Sequence, residues 1–511
     1  MKKMLAIFPA LLLASSLEAQ SDLVARIHFL GGDKIAADPN SRSFTNEFSS
    51  PEARAFGAGA LDKVSRVAAA WFKPASGAGN SQALLRPLLD DLAKSEWVLE
   101  IKDGARSPEY ALAIRLHASR AEAWAKDLQA VAQSWSGSAV VPGKDGWEAK
   151  KQNPAGHLRF SRAGDWVVID CGPDALTLQE GIVPVGPETN WLSANVDWPR
   201  LAQLFPSLRE FDLPKFAFEM TARDGYFRFN GKLNLSQPLT SEPWRMPTNY
   251  IHQPFVSFMA ARGIGPWLAR QPWFRPYLVQ PQPNQVFVWA MPQIPFQTFA
   301  AEPVPNSSTA LAGLQRDLSA NAAWKDQFTR PVTLTLTNDR VALTGFPFIA
   351  PFAQAVHEPG GDFLAGGFFP NTPRSKGLPP ELFEQLNAPG VVYYQWEITG
   401  DRLKGVHELT QLLLMLTKRD QLDGRSTAFK WLQRVGPTLG NSVTIVKQAS
   451  PTELTFTRKS HSGLTAFELL LLANWVESPR FPAMDLHQAD RPRLVPVKRS
   501  AAPPPMPLPS K

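Results

Sequence analysis

The segment 266–277 holds the densest group of aromatic and arginine side chains in the chain. Indole rings offer flat apolar faces to a sugar ring or to a protein partner, and guanidinium groups beside them can donate hydrogen bonds. Tryptophan and phenylalanine also form hydrophobic cores, so a structural role for this segment is the favoured interpretation. If the sequence reveals a binding site, we expect it at Trp267, Arg270, Trp273 and Arg275.

Two glycine patterns and one histidine pattern resemble functional motifs without completing them. Gly57-Ala58-Gly59 and Gly263-Ile264-Gly265 each lack the third glycine and the preceding strand of a dinucleotide-binding turn. A zinc protease places its second histidine one helical turn after the first, but Gln411 stands at that position after His407. We therefore predict neither a cofactor nor a metal.

Two further loops, Gly31-Gly32-Asp33 and Gly360-Gly361-Asp362, share a glycine and acid pattern. Oxygen-rich loops can bind calcium, but neither loop has the alternating acidic ligands of a known calcium loop. Turn formation explains both loops better. The serines, histidines and aspartates of the chain are too scattered to predict a catalytic triad, and there is no Gly-x-Ser-x-Gly sequence. No catalytic residue is therefore assigned.

The secondary-structure elements that must position these residues include several predicted β-hairpins. Residues 216–221 and 227–235 alternate apolar and polar side chains on either side of Asp224-Gly225, which is a strong hairpin turn. Four further hairpins are predicted at 97–116, 158–169, 332–343 and 443–456. Because the strands of each pair are close in sequence, we predict mainly antiparallel sheets.

Apolar side chains at helical spacing lie between the hairpins. One stripe is formed by Trp124, Leu128, Val131 and Trp135. Further helices are predicted at 406–416, 427–439 and 465–475. The predicted fold class is α+β, with mainly antiparallel sheets built from hairpins and with helices packed on one face. The order strand, helix, hairpin occurs at 191–235 and again at 391–456, which indicates either two topologically similar halves or the repeated use of a common unit.

The basic charge of the chain is concentrated near its end. The net charge is +7; the first 19 residues carry +1 and residues 491–511 carry +5 without any acid, which leaves +1 for the body of the chain. Such a body lacks the general attraction to phosphate that nonspecific binding of nucleic acid requires. We therefore exclude nucleic acid as a partner.

The first 19 residues have the pattern of a signal peptide. Lys2 and Lys3 precede the apolar stretch 4–13, and Leu17-Glu18-Ala19 can serve as the cleavage site. The apolar stretch is shorter than the roughly 20 residues that cross a bilayer, and Pro9 interrupts it, so cleavage is favoured over an uncleaved anchor. We expect a periplasmic or extracellular protein without a transmembrane span after cleavage.

Length and composition predict two domains followed by a tail. We place α+β domains at 20–240 and 250–488, on either side of a turn-rich stretch with three prolines. The single cysteine, Cys171, excludes an intrachain disulfide, and the predicted mature N-terminus has no cysteine that could carry a lipid. Residues 489–511 form a proline-rich, basic tail that we predict to be disordered. A solvated terminus is favoured there over a partner ligand or an electrostatic tether to an anionic envelope surface.

The chain has a signal-peptide pattern and contains no recognisable catalytic motif. This combination favours a noncatalytic binding or scaffold protein of the cell envelope, with an envelope protein or a glycan as its partner. Two alternatives stay open. An exported hydrolase would assemble its site from distant segments, so histidine and carboxylates should converge in a cleft. A carrier of a hydrophobic ligand should contain a large internal cavity. The sequence does not predict the oligomeric state.

Overall fold

The computed structural model describes most of the chain between residues 22 and 482. The described ranges are 22–42, 49–72, 81–104, 107–143, 145–151, 156–172, 182–183, 189–209, 212–270, 282–292, 297–320, 331–369, 377–416, 426–478 and 481–482. The predicted signal peptide and the predicted tail at 489–511 lie outside these ranges, so both stay predictions.

Strands from the whole described chain join one sheet. They are β1 (Leu23–Phe29), β2 (Trp97–Lys102), β3 (Glu109–Arg115), β4 (Val141–Gly143), β5 (Gly146–Lys151), β6 (Gly156–Ala163), β7 (Trp166–Cys171), β8 (Leu192–Val196), β9 (Lys215–Arg223), β10 (Tyr226–Asn234), β11 (Ser257–Arg262), β12 (Gln285–Ala290), β13 (Thr298–Val304), β14 (Thr333–Leu336), β15 (Arg340–Thr344), β16 (Phe352–Glu358), β17 (Gly361–Gly367), β18 (Val391–Ile398), β19 (Asn441–Gln448) and β20 (Glu453–Ser460).

Helices alternate with groups of these strands along the chain. Within the described ranges they are α1 (Gly32–Ala37), α2 (Pro51–Trp71), α3 (Ser81–Lys94), α4 (Ala118–Ser136), α5 (Trp198–Leu204), α6 (Gly265–Arg270), α7 (Ser307–Ala320), α8 (Pro380–Asn387), α9 (Thr399–Leu416), α10 (Thr427–Val435) and α11 (Ala466–Glu477). None of them combines the length and the apolar composition that would allow it to cross a membrane. The predicted α+β class is confirmed, whereas the packing of helices on one face stays a prediction.

Every strand pairing in the sheet is antiparallel, and the order of the strands repeats. The first half of the sheet reads β4-β5-β6-β7-β3-β2-β1-β8-β9-β10. From the opposite end, the second half reads β14-β15-β16-β17-β13-β12-β11-β18-β19-β20. Each strand of the second half therefore stands where the strand ten places earlier stands in the first half.

The pairing of β10 with β20 joins the two halves edge to edge. Eight residue pairs connect these strands, from Phe227 opposite Ser460 to Asn234 opposite Glu453. Helix positions repeat as well, because α1 follows β1 as α6 follows β11, and α4 follows β3 as α7 follows β13. The two topologically similar halves that the sequence indicated are thus present in the strand order. The predicted domain boundaries stay predictions.

The hairpin between β9 and β10 shows how local sequence sets the register. Asp224 and Gly225 both have positive φ angles, 55° and 73°, as the turn with two left-handed central residues requires. Arg223 consequently lies opposite Tyr226, and the alternating phenylalanines of both strands fall on one face. In this hairpin, the sequence prediction and the structure agree residue by residue.

Large aromatic side chains fill the cores of both halves. In the first half, Trp97, Phe160 and Val167 of the sheet pack with Trp124 and Leu128 of α4. This confirms the apolar stripe that was predicted for α4. In the second half, a separate core contains Phe258, Phe287, Trp289 and Phe299 of the sheet together with Leu386 of α8. Each half therefore has its own hydrophobic core.

An ion pair lies inside the first half between β6 and β7. Arg159 donates from Nε and Nη2 to Asp170 Oδ2 over 3.2 and 2.9 Å, and both residues are buried. Burial raises the pKa of Asp170, and the bonds from Arg159 oppose that rise. Because a buried charge is tolerated only when it is paired, each partner depends on the other.

We predict that Arg159→Met destabilises the protein by about 3–5 kcal/mol, because it leaves the Asp170 carboxylate buried without its cation. The measurement is the free energy of unfolding from urea titration followed by circular dichroism. Arg162→Met, at an exposed position near the end of the same strand, is the matched control and should change stability by less than about 0.5 kcal/mol. Equal losses in the two variants would contradict the assignment.

Candidate functional site

The structure describes two of the four residues that the sequence proposed as a binding site. Trp267 and Arg270 lie on α6, and Trp273 and Arg275 lie outside the described residues. Trp267 Nε1 donates to the carbonyl oxygen of Asp212 over 3.3 Å, and Arg270 Nε donates to Asp212 Oδ2 over 2.9 Å. Both contacts tie α6 to the segment before β9, which is the structural role that the sequence favoured. A binding role for the four residues stays a prediction.

The glycine pattern at Gly263-Ile264-Gly265 does follow a strand, which corrects the sequence analysis. Strand β11 was missed because both of its faces are largely buried, so apolar and polar residues do not alternate along it. The N–H of Gly263 donates to the carbonyl oxygen of Asn284 over 2.8 Å, and the N–H of Gly265 donates to Asn284 Oδ1 over 3.2 Å. These amide groups serve the fold itself and do not point to a phosphate.

One serine, one histidine and one aspartate converge from three elements of the second half. Ser307 begins α7, His357 lies near the end of β16, and Asp362 lies at the start of β17. The tight turn between β16 and β17 brings His357 and Asp362 opposite each other, with His357 Nδ1 2.9 Å from Asp362 Oδ1. Ser307 Oγ donates to Asp362 Oδ2 over 3.2 Å. The hydrolase alternative requires such a convergence of histidine and carboxylate, placed in a cleft.

The geometry of this cluster fits a helix cap rather than a nucleophile. Ser307 is fully buried, and its N–H also donates to Asp362 Oδ2 over 2.9 Å. Ser307 Oγ lies 3.2 Å from Nδ1 and 3.4 Å from Nε2 of His357, so Nδ1 faces both the aspartate and the serine. A catalytic triad instead directs Nε2 to the serine and Nδ1 to the carboxylate. Asp362 therefore caps the N-terminus of α7, and His357 holds the Asp362 carboxylate in place through its hydrogen bond.

The electrostatics of Asp362 agree with this role. Hydrogen bonds from the Ser307 N–H and from His357 hold the pKa of Asp362 below its usual range. A carboxylate at a helix N-terminus is stabilised by the helix dipole and by the free N–H groups there. The sequence offered a signal for this helix that was overlooked, since Asn306 accepts the N–H of Thr309 over 2.8 Å as an N-cap residue does. The Gly360-Gly361-Asp362 loop is a hairpin turn, as predicted.

A second carboxyl group, Glu302 on β13, has an unusual pKa. Burial raises the pKa of Glu302 to about 7, and among the described residues its Oε1 atom has no hydrogen-bond partner. A carboxyl that titrates near neutral pH can act as a general acid or base when a substrate reaches it. Within the described ranges, no three histidine, cysteine, aspartate or glutamate side chains converge as a metal site.

A surface that the sequence did not reveal lies at the far end of β15, β16 and β17. We call it the phenylalanine tip; it comprises the connection 345–351 with Phe368, Phe369, Leu412, Met415 and Leu416. Phe348 is 73% exposed and Met415 is 43% exposed. Ile349, the neighbour of Phe348 in the chain, packs with Leu412 and Leu416 at the end of α9, the helix that carries Met415. The tip therefore has a buried apolar base and an exposed apolar top.

The backbone of the phenylalanine tip is held in place on both sides. The N–H of Ala350 donates to the carbonyl oxygen of Phe368, and the N–H of Leu343 donates to that of Pro351, each over 2.8 Å. Pro347 and Pro351 remove further backbone freedom. Phe348 has a φ of 71°, which is a strained conformation for a bulky side chain. The structure thus presents Phe348 to solvent on a fixed and strained backbone.

Comparisons with models of protein families, with curated proteins and with solved structures find no match for this chain.

We predict that Asp362→Asn lowers the free energy of unfolding by about 0.5–1 kcal/mol at pH 7, because the amide keeps a hydrogen-bond acceptor but loses the carboxylate charge that the helix N-terminus stabilises. Since the folded pKa of Asp362 is depressed, its contribution is present above the unfolded value of about 3.9 and is lost as pH falls through the folded value. Urea titrations at pH 7 and pH 3 measure this difference. Asp317→Asn, exposed on the same helix, is the control; a loss that is as large at pH 3 would contradict the cap.

We predict the opposite pH dependence for Glu302→Gln. The folded pKa of Glu302 is raised, so folding retains a proton between the unfolded value of about 4.3 and about 7, and wild-type stability falls as pH rises through that window. The neutral amide of the variant carries no such charge, so Glu302→Gln should be about 2–4 kcal/mol more stable than wild type at pH 8 and nearly equal to it at pH 4. Urea titrations at the two pH values measure the difference. Glu384→Gln, an exposed glutamate on α8, should show no such crossover.

Proposed function

We propose that the chain is an exported protein of the cell envelope that has no catalytic role and binds an envelope component through the phenylalanine tip. The signal-peptide pattern of the first 19 residues supports export. The phenylalanine tip supplies the binding surface in this proposal. Polar groups that could do chemistry elsewhere in the described second half, such as Ser307 and Asp362, are engaged in holding the fold.

The observation that carries this proposal is the exposure of Phe348. A phenylalanine that is 73% exposed gains little from the hydrophobic effect, and its left-handed backbone costs on the order of 1 kcal/mol or more. Residues that a fold holds in such a strained conformation cluster at functional sites, which supports an interaction role for Phe348. Met415, exposed near the end of α9, adds a flexible apolar side chain of a kind that is common on binding surfaces.

A hydrolase is the second candidate, and the cluster of Ser307, His357 and Asp362 is the observation in its favour. His357 is 62% exposed, so a substrate could reach the ring. The buried hydroxyl of Ser307 is the obstacle, because a nucleophile must meet its substrate. Assays of the purified chain with a panel of activated esters distinguish the two candidates: turnover that Ser307→Ala abolishes would replace the binding proposal with the hydrolase.

The proposal predicts that the protein is retained on envelopes through Phe348. Envelopes from cells that produce the chain are washed and fractionated, and the protein is quantified in the pellet and in the supernatant. Phe348→Asn should shift most of the protein to the supernatant. Asparagine is chosen because it removes the ring and tolerates a left-handed backbone.

Phe383→Gln is the matched control, since Phe383 is an exposed phenylalanine of α8 and glutamine suits a helix. This variant should remain in the pellet with the wild type. If the wild type, Phe348→Asn and Phe383→Gln are all retained equally, the phenylalanine tip does not bind the envelope. Sequencing of the mature N-terminus, expected at Gln20, tests export separately.

A further inference from the structure

We propose that the second half carries a binding groove for a small organic carboxylate, in which Arg402 binds the anionic group. We call it the β13 groove; Val288, Ala300 and Gly366 form its floor, and Thr298 with Arg402 forms one end. The groove shares no residue with the phenylalanine tip, so this inference goes beyond the proposed function and does not depend on it.

Strand β13 lies in the interior of the sheet, between β12 and β17, yet one of its faces is open. Phe299 and Ala301, which belong to the aromatic core, are 1% and 2% exposed, whereas Ala300 between them is exposed. Successive side chains of a strand point to opposite faces, so Ala300 lies on the face away from that core. It stands opposite Val288 on one side and Gly366 on the other, and both are partly exposed. The floor of the groove is therefore small, apolar and accessible.

The corresponding strand of the first half is covered on both faces. Ala113 and Ile114 of β3 point to opposite faces, and each is 0% exposed. There α4 packs on the sheet as far as Trp97 of β2. Helix α7 takes the place of α4 in the second half, but it has 14 residues where α4 has 19. The described core beneath α7 contains Val304 of β13 and no residue of β12, so the shorter helix leaves the groove open.

Arg402 of α9 brings a positive charge to this open face. Its Nη1 donates to Thr298 Oγ1 over 2.9 Å, and Thr298 lies two residues before Ala300 on the same face of β13. Among the described residues, Arg402 forms no ion pair. A guanidinium group has five N–H donors in a fixed plane, so Arg402 retains donors for a ligand.

Glu397 is the acid that acts on Arg402, but its carboxylate is engaged elsewhere. Its Oε1 accepts the N–H of Ala466 over 2.7 Å, and its Oε2 accepts Gln395 Nε2 over 3.3 Å. Burial lowers the pKa of Arg402, and the charge of Glu397 opposes that lowering. A charge removed from water without a hydrogen-bonded counterion is costly. An anionic ligand would supply the missing partner.

The chemistry of the groove defines the class of ligand. A guanidinium group pairs with a carboxylate through two parallel hydrogen bonds, a geometry that favours planar anions. Ala300 lies roughly 7 Å from Thr298 along the strand, so a ligand bound at Arg402 can lay a short apolar chain over Ala300 and Val288. The groove therefore fits a carboxylate that carries a few methylene groups.

Isothermal titration calorimetry of the purified chain with hexanoate, hexanol and acetate tests the inference. The titrations are made at pH 6, where Glu302, further along the same strand, keeps its proton because its pKa is raised to about 7. We expect hexanoate to bind, and hexanol to bind about tenfold or more weakly, because the alcohol lacks the charge. Acetate should also bind more weakly, by up to about fourfold for each of the methylene groups that it lacks.

Two variants separate the charge from the floor. Arg402→Gln should bind hexanoate about tenfold or more weakly than wild type and should bind hexanol as wild type does. Lys404→Gln, at an exposed position of the same helix, is the matched control and should stay within about twofold of wild type. Ala300→Leu should weaken the binding of both hexanoate and hexanol, since the larger side chain occupies the floor. Because Ala300 is exposed, this change does not disturb the core.

The melting temperature of Arg402→Gln provides a readout of whether Arg402 serves the fold. We expect it to equal or exceed that of wild type, because the variant removes a charge that lacks an ion-pair partner. If Arg402→Gln melts well below wild type, Ala300→Leu decides: hexanoate affinity equal to that of wild type would then overturn the groove. The inference is also wrong if wild type binds no hexanoate, if hexanol binds equally well, or if folded Arg402→Gln keeps its hexanoate affinity.

Discussion

The antiparallel pairing of β10 with β20 is the constraint on which the rest of the structure depends. Without it, each half of the sheet would expose an edge strand whose backbone N–H and C=O groups lack partners. The junction is reinforced from α11, where Glu468 accepts two hydrogen bonds from Arg458 on β20 while it also closes the capping box of that helix. A helix of the first half then packs on helices of the second, with the rings of Phe56 and Trp431 stacked at 4.7 Å. The halves are thus joined in the sheet and again among the helices.

The two halves share a strand order, but the side chains at corresponding positions differ in their chemistry. Arg26 lies opposite Glu100 on one side and Asn195 on the other, and it forms an ion pair with Glu100. At the corresponding place in the second half, the same register is formed by three aromatic side chains: Phe258 lies between Trp289 and Trp396. Backbone pairing sets which positions face each other, and either a paired charge or a packed ring can fill them. This is why different side chains at corresponding positions are compatible with one repeated topology.

The sequence was sufficient where a local pattern decides the structure. Asp224-Gly225 specifies its turn and the register of both flanking strands, and the stripe of α4 specifies its buried face. It was insufficient where burial comes from distant segments, as in β11, whose two covered faces remove the alternation that marks a strand. The phenylalanine tip was missed for the opposite reason. The sequence around Phe348 reads as core-forming, and only the tertiary structure leaves that ring uncovered.

The cap at Asp362 and the phenylalanine tip lie at opposite ends of one hairpin, which links the two sites physically. Phe368 follows Asp362 by six positions of extended chain, so the distance between them is about 20 Å. At one end, Asp362 fastens the hairpin to α7 through Ser307. At the other, Phe368 accepts the hydrogen bond that holds the connection carrying Phe348. A hairpin that is fixed at its base positions its tip with little conformational freedom, so less entropy would be lost if the tip binds a partner as proposed. Under that proposal, the cluster of Ser307, His357 and Asp362 serves binding by holding the tip in place.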